Sequence, residues 1–251
     1  MNILICGFAG KMGQTIYNLS KKISGLVVTE GLVLPEMLSE HKGKYEGVNV
    51  ISNIKESKNA DCVIDFSFHT VTKEILDFCV SKNIPLVLGT TGHTQEELEE
   101  VNKASKKIAI FKSNNMSVGI YVLNELIKEA TKRLKDWDIE IIEKHHNAKV
   151  DAPSGTAVMM LDSVKEVKSD INTVVGRNQG YSKRKPSDVC VHSIRGGGYV
   201  GEHEIEYISD SEVIKITHEA FSKEVFADGA LKASKFLYGK PAGLYTMKNL
   251  F

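Results

Sequence analysis

The sequence predicts an α/β protein, with an N-terminal Rossmann-like doubly wound parallel sheet and a C-terminal α+β domain that contains a mixed open sheet. Through the first 114 residues, short apolar runs alternate with segments of helical periodicity, as in parallel sheets covered by helices. A glycine-rich turn joins the first apolar run to the first helical segment. Near the C-terminus, three strand patterns follow one another without a helix, which is typical of antiparallel or mixed sheets.

The N-terminal half begins with a strand predicted at residues 2–6, where an apolar run ends at Gly7. The next segment, residues 12–23, has its apolar side chains spaced for one face of a helix. Thr94 and Glu97 have the spacing of a capping box, which predicts the start of another helix. Further strands are predicted at residues 25–34, 48–51, 61–68, 86–91 and 108–113, and a further helix at 71–80.

The second half begins with a long helix, predicted at residues 117–134 from its apolar stripe. An alternating strand at residues 136–146 and a helix at residues 154–167 follow. Three strands separated by Gly-rich or Ser/Asp turns are predicted within residues 189–220, before a last helix near residues 223–237.

Composition and charge restrict the class of protein. The 251 residues suffice for one large domain or two smaller ones. Lys plus Arg equals Asp plus Glu at 32 each, which argues against a general binder of nucleic acid or acidic membranes. No apolar stretch approaches the roughly 20 residues of a membrane span, and the short apolar start lacks the basic residues of a signal peptide. We therefore expect no nucleic-acid or membrane partner.

The four cysteines indicate a reducing compartment. None belongs to a CxxC pair or has histidines at zinc-ligand spacing, and three of them lie in apolar runs. We expect them to be free and buried in a cytoplasmic protein, without a structural metal.

The loop after the first strand predicts nucleotide binding. Its glycines allow a tight turn and a close approach of the backbone to a pyrophosphate, and the helix that follows offers free N–H groups. The spacing is GxxGxxG, and a plain strand-to-helix turn is the alternative. The candidate residues are Gly7, Phe8, Ala9, Gly10, Lys11 and Met12.

The end of the second strand leaves the choice between NADH and NADPH open. Dinucleotide-binding folds usually place an acid there for the ribose hydroxyls. The tip here is Val33-Leu34, with Glu30 inside the strand and Glu36 beyond a proline. Lys11 could meet a 2′-phosphate, although a solvated surface lysine is an equal alternative.

Two more strand ends carry small or polar residues where ligands of such sheets lie. Ordinary loop structure is the alternative for each. The candidates for contacts to a ribose or a carboxamide are Gly89, Thr90, Thr91, Ser113, Asn114, Asn115 and Met116.

Residues 143–157, EKHHNAKVDAPSGTA, predict a site for an anionic substrate. His145 and Lys149 can carry protons, and the alternation of a strand would point His145 and His146 to opposite sides. Ser154 is a candidate cap, so that Gly155 and Thr156 would form a helix end able to bind an anion. The adjacent histidines have no third ligand in view, and we predict no metal.

This segment resembles the signature of the 4-hydroxy-tetrahydrodipicolinate reductase (dihydrodipicolinate reductase) family. The resemblance covers nearly the whole chain, because the family's other motifs follow in order. They are GFAGKMG at residues 7–13, IDFS at 64–67, GTTG at 89–92, NMSVG at 115–119, SIRGGGYVGEHE at 193–204 and ITHEAFSKEVFADGA at 216–230.

The resemblance implies a dinucleotide-binding domain at residues 1–114, to which residues 223–251 return, and a substrate-binding and oligomerisation domain at residues 115–222. It implies a homotetramer that reduces a small cyclic dicarboxylate with NADH or NADPH, with loss of water, in diaminopimelate and lysine biosynthesis. The family often has an acid, sometimes followed by Arg, where Val33 and Leu34 stand here.

The resemblance also implies residue roles. His145 matches the family's proton donor and acceptor, and Lys149 matches its proton donor, so which of them protonates the ring stays open. His146, Gly155 and Thr156 match substrate contacts, and the three candidate strand-end segments match cofactor contacts. Another small Rossmann reductase, or a dinucleotide-sensing regulator without turnover, would explain the glycine loop but not the HHNAKVDAPSGT segment.

Overall fold

The computed structural model describes residues 1–177 and 183–251, in which twelve strands and seven α-helices are found. The strands are β1 (Asn2–Cys6), β2 (Val27–Leu32), β3 (Asn49–Ile51), β4 (Cys62–Asp65), β5 (Leu86–Leu88), β6 (Ala109–Lys112), β7 (Asp138–His145), β8 (Asn172–Val175), β9 (Asp188–Arg195), β10 (Gly201–Ile208), β11 (Val213–Ala220) and β12 (Gly243–Tyr245). The helices are α1 (Lys11–Ser20), α2 (Leu38–His41), α3 (Thr72–Lys82), α4 (Gln95–Ser105), α5 (Val118–Arg133), α6 (Gly155–Lys165) and α7 (Glu224–Leu237).

The chain divides into two compact units. The first unit consists of Met1–Ser117 together with Lys223–Phe251, and the second unit is Val118–Ser222. The C-terminal helix α7 packs in the first unit against α1 and against β4, β5 and β6.

The first unit is built on a seven-stranded sheet in the order β12-β6-β5-β4-β1-β2-β3, and every neighbouring pair is parallel. The side chains of β1 and β4 are almost all buried, so helices cover both faces of the sheet. The strand order reverses between β1 and β4, and this switch point is where such sheets bind ligands. The predicted Rossmann-like architecture is therefore confirmed.

The second unit carries a five-stranded sheet in the order β11-β10-β7-β9-β8. The pairs of β7 with β9 and of β8 with β9 are parallel, whereas β10 pairs antiparallel with both β7 and β11. Apolar side chains of α5 and α6 pack on one face of this sheet. The Tyr207 hydroxyl bonds Thr131 Oγ1 at 2.7 Å and the Ile127 carbonyl at 3.0 Å, which satisfies a polar group inside this core. The predicted mixed sheet is confirmed.

Three short elements, α2, β8 and β12, were not predicted, because each has four residues or fewer. The Thr94 capping box is present at the start of α4. Helix α1 ends at Ser20 rather than at residue 23, since the N–H groups of Lys22 and Ile23 bond carbonyls three residues back. No helix among residues 1–177 and 183–251 has the length and hydropathy needed to cross a membrane.

Candidate active site

The alternation of β7 places two polar side chains on the face that points into the core of the second unit. Ile139, Ile141, Glu143 and His145 are buried in turn, while the residues between them are partly exposed. Glu143 has no exposed surface and His145 is only 9% exposed. A buried carboxylate is costly unless it is paired, so its partners define the site.

Glu143 is held by hydrogen bonds to both of its carboxylate oxygens. Arg195 donates from Nη1 to Oε2 at 2.8 Å and from Nη2 to Oε1 at 2.7 Å, in a bidentate pair. The Ser154 N–H donates to Oε1 at 3.1 Å, and His145 Nδ1 lies 2.5 Å from Oε2. Burial opposes ionisation, but the hydrogen bonds from Arg195, Ser193, His145 and Ser154 outweigh it and lower the pKa of Glu143 to about 2.

An ionised Glu143 determines the tautomer of His145. A carboxylate only accepts hydrogen bonds, so Nδ1 carries a proton and donates it, which leaves Nε2 as the nitrogen that can gain or lose one. Burial lowers the pKa of His145, while Glu143 raises it and Lys149 and Arg195 lower it further. The net shift is downward, so His145 is mostly neutral at neutral pH and takes up a proton reversibly.

A second histidine packs on His145. The rings of His145 and His203 meet edge to face with centroids 5.1 Å apart, and His203 Nε2 lies 3.3 Å from Ser154 Oγ. Burial lowers the pKa of His203 to about 3, so this ring stays neutral. Its buried Nδ1 has no hydrogen-bond partner among the described residues.

Lys149 and His146 lie on the loop between β7 and α6. Lys149 Nζ bonds both carboxylate oxygens of Asp151, at 2.7 and 2.8 Å. The Asp151 carbonyl in turn accepts a hydrogen bond from Arg195 Nη2 at 2.7 Å. The His146 N–H bonds the Tyr199 carbonyl at 2.9 Å, and the side chain of His146 is partly exposed beyond the end of β7. The loop therefore presents a cation already paired with a carboxylate.

Helix α6 begins beside this loop. Ser154 is its N-cap and accepts a hydrogen bond from the Ala157 N–H at 3.2 Å, as predicted. Gly155 and Thr156 form the first two helical positions, and a Cβ on Gly155 would meet no atom within 4 Å. The five predicted residues of the segment all lie in the second unit, between the end of β7 and the first turn of α6: His145, His146, Lys149, Gly155 and Thr156.

In the first unit, the glycine loop has the shape that a bound pyrophosphate requires. Gly7 has a φ of +77°, and a Cβ there would lie 2.4 Å from the Phe66 carbonyl oxygen. A Cβ on Gly13 would lie 2.5 Å from the Gly7 carbonyl oxygen. Gly10 is the exposed N-cap of α1, with no side-chain cap on the helix end. These residues fit a dinucleotide, whose diphosphate would lie against the open N-terminus of α1.

The loop candidates differ in what they can offer a ligand. The Phe8 side chain is fully buried against Tyr17 and Tyr45, so only its backbone can face a nucleotide. Ala9 and Met12 are partly exposed, and Lys11 is exposed at the first turn of α1.

Some of the candidate residues at the ends of β5 and β6 make contacts within the fold, and others are exposed. Thr90 is buried, donates to Asp65 Oδ2 at 2.9 Å and accepts from the Ser67 N–H at 3.0 Å. A Cβ on Gly89 would lie 2.4 Å from the Phe66 ring. Thr91 and Asn114 are exposed, Ser113 and Asn115 are partly exposed, and Met116 is buried.

The tip of β2 is apolar, and the exposed acid nearest to it in the chain, Glu36, comes after Pro35. Val33 is buried and Leu34 is 42% exposed. Glu30 is also buried, where its carboxylate accepts hydrogen bonds from the Ser57 hydroxyl and, at 3.0 Å, from the Lys58 N–H. Glu30 is therefore occupied within the fold and cannot bind a ribose.

A cluster of metal-ligating residue types lies on the other face of β7. Ligand atoms of Glu140, Cys190 and His192 lie within 4.8 Å of one another. Arg184 donates to Glu140 Oε1 at 3.2 Å, and His192 Nε2 lies 2.8 Å from Oε2. The guanidinium disfavours a cation at this carboxylate, and the absence of a metal stays a prediction.

Sequence reasoning missed Glu143, Arg195, His203 and Asp151 as parts of the site. One signal was available, because the alternation of β7 puts Glu143 on the same face as Ile141 and His145. Arg195 could not be found that way, since it joins the site only through the pairing of β7 with β9.

Comparisons with known proteins agree with this description. Residues 1–116 match the family described as dihydrodipicolinate reductase, N-terminus, and residues 119–251 match dihydrodipicolinate reductase, C-terminus. Relatives named 4-hydroxy-tetrahydrodipicolinate reductase include those of Clostridium tetani and Caldanaerobacter subterraneus subsp. tengcongensis. The first is 43% identical over 249 residues, covering 98% of this chain and 95% of the relative. The second is 45% identical over 253 residues, covering 100% of this chain and 98% of the relative.

Solved structures share the fold. The dipicolinate-bound dihydrodipicolinate reductase from Paenisporosarcina sp. TG-14 superposes with a TM-score of 0.83 at 23% identity, covering 100% of this chain and 99% of the other. A probable dehydrogenase from Thermotoga maritima superposes with a TM-score of 0.60 at 14% identity, covering 100% of this chain and 92% of the other.

Proposed function

The chain belongs to the dihydrodipicolinate reductase family, and we propose that His145, Lys149 and the groups around Glu143 form the substrate half of its active site. The enzyme reduces 4-hydroxy-tetrahydrodipicolinate to tetrahydrodipicolinate in diaminopimelate and lysine biosynthesis. Each turnover consumes one NAD(P)H and one proton and releases NAD(P)⁺ and water. The observation that carries the site proposal is the buried chain Arg195–Glu143–His145, which ends on a titratable nitrogen.

The protein's first task is to hold a dianion. The pairing of Lys149 with both oxygens of Asp151 supports a role in binding a carboxylate, and a carboxylate of the substrate would take the place of Asp151. The N–H groups of Gly155 and Thr156 at the start of α6 suit the second carboxylate, because a helix N-terminus carries partial positive charge. His146 lies on the same loop and completes the set of contacts.

The second task is to supply a proton. The glycine loop would hold the dinucleotide, which would supply a hydride to the ring after the 4-hydroxyl group has left as water, and a ring carbon would then need a proton. We propose that protonated His145 then gives its Nε2 proton to the ring carbon, while Lys149 holds a carboxylate. A positioned general acid contributes roughly 10²–10⁴-fold to a rate.

A direct assay tests the function. The purified protein is supplied with the condensation product of pyruvate and aspartate semialdehyde, and the absorbance of NADH and of NADPH is followed in separate reactions. We expect substrate-dependent oxidation of the nucleotide. A protein that binds the nucleotide but never oxidises it with this substrate would instead be a dinucleotide sensor.

We propose that the enzyme accepts both NADH and NADPH, with Lys11 as the contact to the 2′-phosphate. Support comes from the exposed position of Lys11 in the first turn of α1 and from the hydrogen bonds that occupy the carboxylate of Glu30 within the fold. We expect Lys11→Ala to weaken NADPH binding about fivefold, the size of one exposed ionic contact of ~1 kcal/mol, and NADH binding less than twofold. Calorimetric titration of the free enzyme measures both. Equal losses for the two nucleotides would assign Lys11 to the shared diphosphate instead.

We propose a homotetramer assembled through the sheet of the second unit, as the family resemblance implies. Edge strand β11 supports this, because it exposes Val213 and Ile214 along eight residues at the end of the sheet. Light scattering coupled to size exclusion should give four times the chain mass of 27.7 kDa, and a mass of one chain would refute the tetramer. We also propose a cytoplasmic location, which suits the four free, buried cysteines.

A further inference from the structure

We infer that Glu143, clamped by Arg195, is a positioning residue that keeps the proton of neutral His145 on Nδ1 and reserves Nε2 for the reacting atoms. The inference rests on the catalytic role proposed for His145, and it adds a residue that acts only through that histidine. The geometry supports it from three directions: the fixation of the carboxylate, the access to Nε2 and the charges around the ring.

The carboxylate of Glu143 cannot reorient without losing several hydrogen bonds. Oε1 accepts from Arg195 Nη2 and from the Ser154 N–H, while Oε2 accepts from Arg195 Nη1 and from His145. Each carboxylate oxygen therefore has its own donors, and Oε2 faces His145 Nδ1. Because Ser154 is also the N-cap of α6, the start of that helix is anchored to the same carboxylate.

Arg195 extends this anchor to the loop that carries Lys149. Its Nη2 donates to the Asp151 carbonyl at 2.7 Å, and the Asp151 side chain holds Lys149. The buried ion pair of Glu143 and Arg195 therefore helps to position both His145 and Lys149. Removing Glu143 would free Arg195 and the loop as well as the histidine.

The opposite side of the His145 ring is open because of a glycine. A Cβ on Gly201 would lie 3.2 Å from His145 Nε2, so any other residue there would crowd this nitrogen. Gly201 lines a cavity of about 410 Å³, together with Gly198, Tyr199, Val200, Glu219, Ala220 and Phe221. Nε2 is therefore the ring nitrogen that faces Gly201, a position that carries no side chain.

The charges around His145 predict what the loss of Glu143 would do. Among the groups with the largest effects on the pKa of His145, Glu143 is an anion that raises it, and Lys149 and Arg195 are cations that lower it. The neighbouring ring of His203 is neutral. Without the carboxylate, the two cations would no longer be opposed by Glu143, so the protonated form of His145 would become rarer at neutral pH.

Glu143→Gln is the informative substitution, because its amide has one acceptor and one donor end. The two donors at Oε1, Arg195 Nη2 and the Ser154 N–H, require the amide oxygen there. The NH₂ group then faces both His145 Nδ1 and Arg195 Nη1, and of these two only the imidazole nitrogen can become an acceptor. We expect the neutral ring to switch its proton to Nε2, and the pKa of His145 to fall by about one unit.

The tautomer and the pKa are read by nitrogen-detected NMR of the full-length enzyme, with His145 assigned by comparison with His145→Gln. We expect the variant's kcat at pH 7.5 to fall at least tenfold, with KM and nucleotide affinity changed less than threefold. Since protonated His145 is the acid, kcat declines as pH rises through its pKa. That decline should begin about one pH unit lower in Glu143→Gln, so part of the loss is recovered at pH 6.

Glu140→Gln is the matched control. Glu140 lies on the other face of β7 and also binds one arginine and one histidine, Arg184 and His192. We expect this variant to leave the His145 signals and the pH profile of kcat unchanged. If both glutamate variants lowered kcat alike, with the tautomer unaltered, Glu143 would be a structural residue only and the inference would be overturned.

The double variant separates this inference from the proposed function. If Glu143 acts through His145, then Glu143→Gln should cost no further activity in a His145→Gln background. A full multiplicative loss in the double variant would overturn the positioning role. Normal turnover of His145→Gln alone would instead overturn the catalytic role of His145, whatever the NMR result.

Discussion

Replacing His145 with glutamine is expected to lower kcat at least tenfold, and by as much as ~10²–10⁴-fold if His145 is the sole acid. Glutamine can still accept and donate hydrogen bonds near Glu143, but it cannot release a proton to a carbon. The nucleotide loop belongs to the first unit and His145 to the second, so the affinity for NADH should not change. Steady-state kinetics and nucleotide titration measure the two quantities.

His192→Gln is the control for this substitution. His192 is a partly exposed histidine paired with Glu140 at 2.8 Å on the opposite side of β7, and its loss should leave kcat within twofold. Lys149→Ala should also lower kcat at least tenfold, but with a raised KM, because the lysine is proposed to hold a carboxylate. Wild-type turnover in both His145→Gln and Lys149→Ala would show that the reaction takes place elsewhere.

The second large effect is expected on stability, at a glycine in the middle of α7. A Cβ on Gly229 would lie 1.7 Å from the Met116 carbonyl oxygen and 2.8 Å from its carbonyl carbon. These are backbone atoms, so relief requires the helix and the segment after β6 to separate. We expect Gly229→Ala to lower the free energy of unfolding by at least ~2 kcal/mol, which corresponds to a fall in Tm of about 5 °C.

Scanning calorimetry of Gly229→Ala beside Lys232→Ala tests this. Lys232 lies on the exposed side of the same helix and forms an exposed ion pair with Asp228 at 2.8 Å, so its removal should cost less than ~0.5 kcal/mol. An unchanged or raised Tm in Gly229→Ala would mean that α7 and the Met116 segment are not packed as described.

At Gly229, helix propensity alone predicts the wrong direction for the change in stability. Judged from the sequence, alanine in place of a glycine inside a helix should stabilise it by about 1 kcal/mol. The expected sign is reversed because a backbone segment more than a hundred positions away fills the space of the missing side chain. Helix α7 itself was predictable from its apolar spacing, whereas its neighbour was not.

The residues of the candidate site also differ in whether local sequence predicts their surroundings. Its proposed catalytic segment stands out in the sequence, since His145, Lys149 and the Ser154 cap lie within ten residues of one another, and Ser154 does cap α6. The glycine loop was predictable too, because the positive φ of Gly7 and the open N-terminus of α1 are local properties. Phe8 and Thr90 were predicted as ligand contacts in the same way, but their side chains are buried in the fold.

The fold class, the order of most elements and the proposed catalytic segment could be predicted from the sequence, because hydrophobic period, glycine turns and caps act between residues close in the chain. The environment of His145 could not, because it depends on contacts between distant parts of the chain. Its partner across the sheet is Arg195, 50 positions later, and a shift of the β7–β9 register by one residue would turn Arg195 to the other face. Long-range pairing therefore placed a cation on Glu143, and that ion pair determines which nitrogen of His145 is left to act.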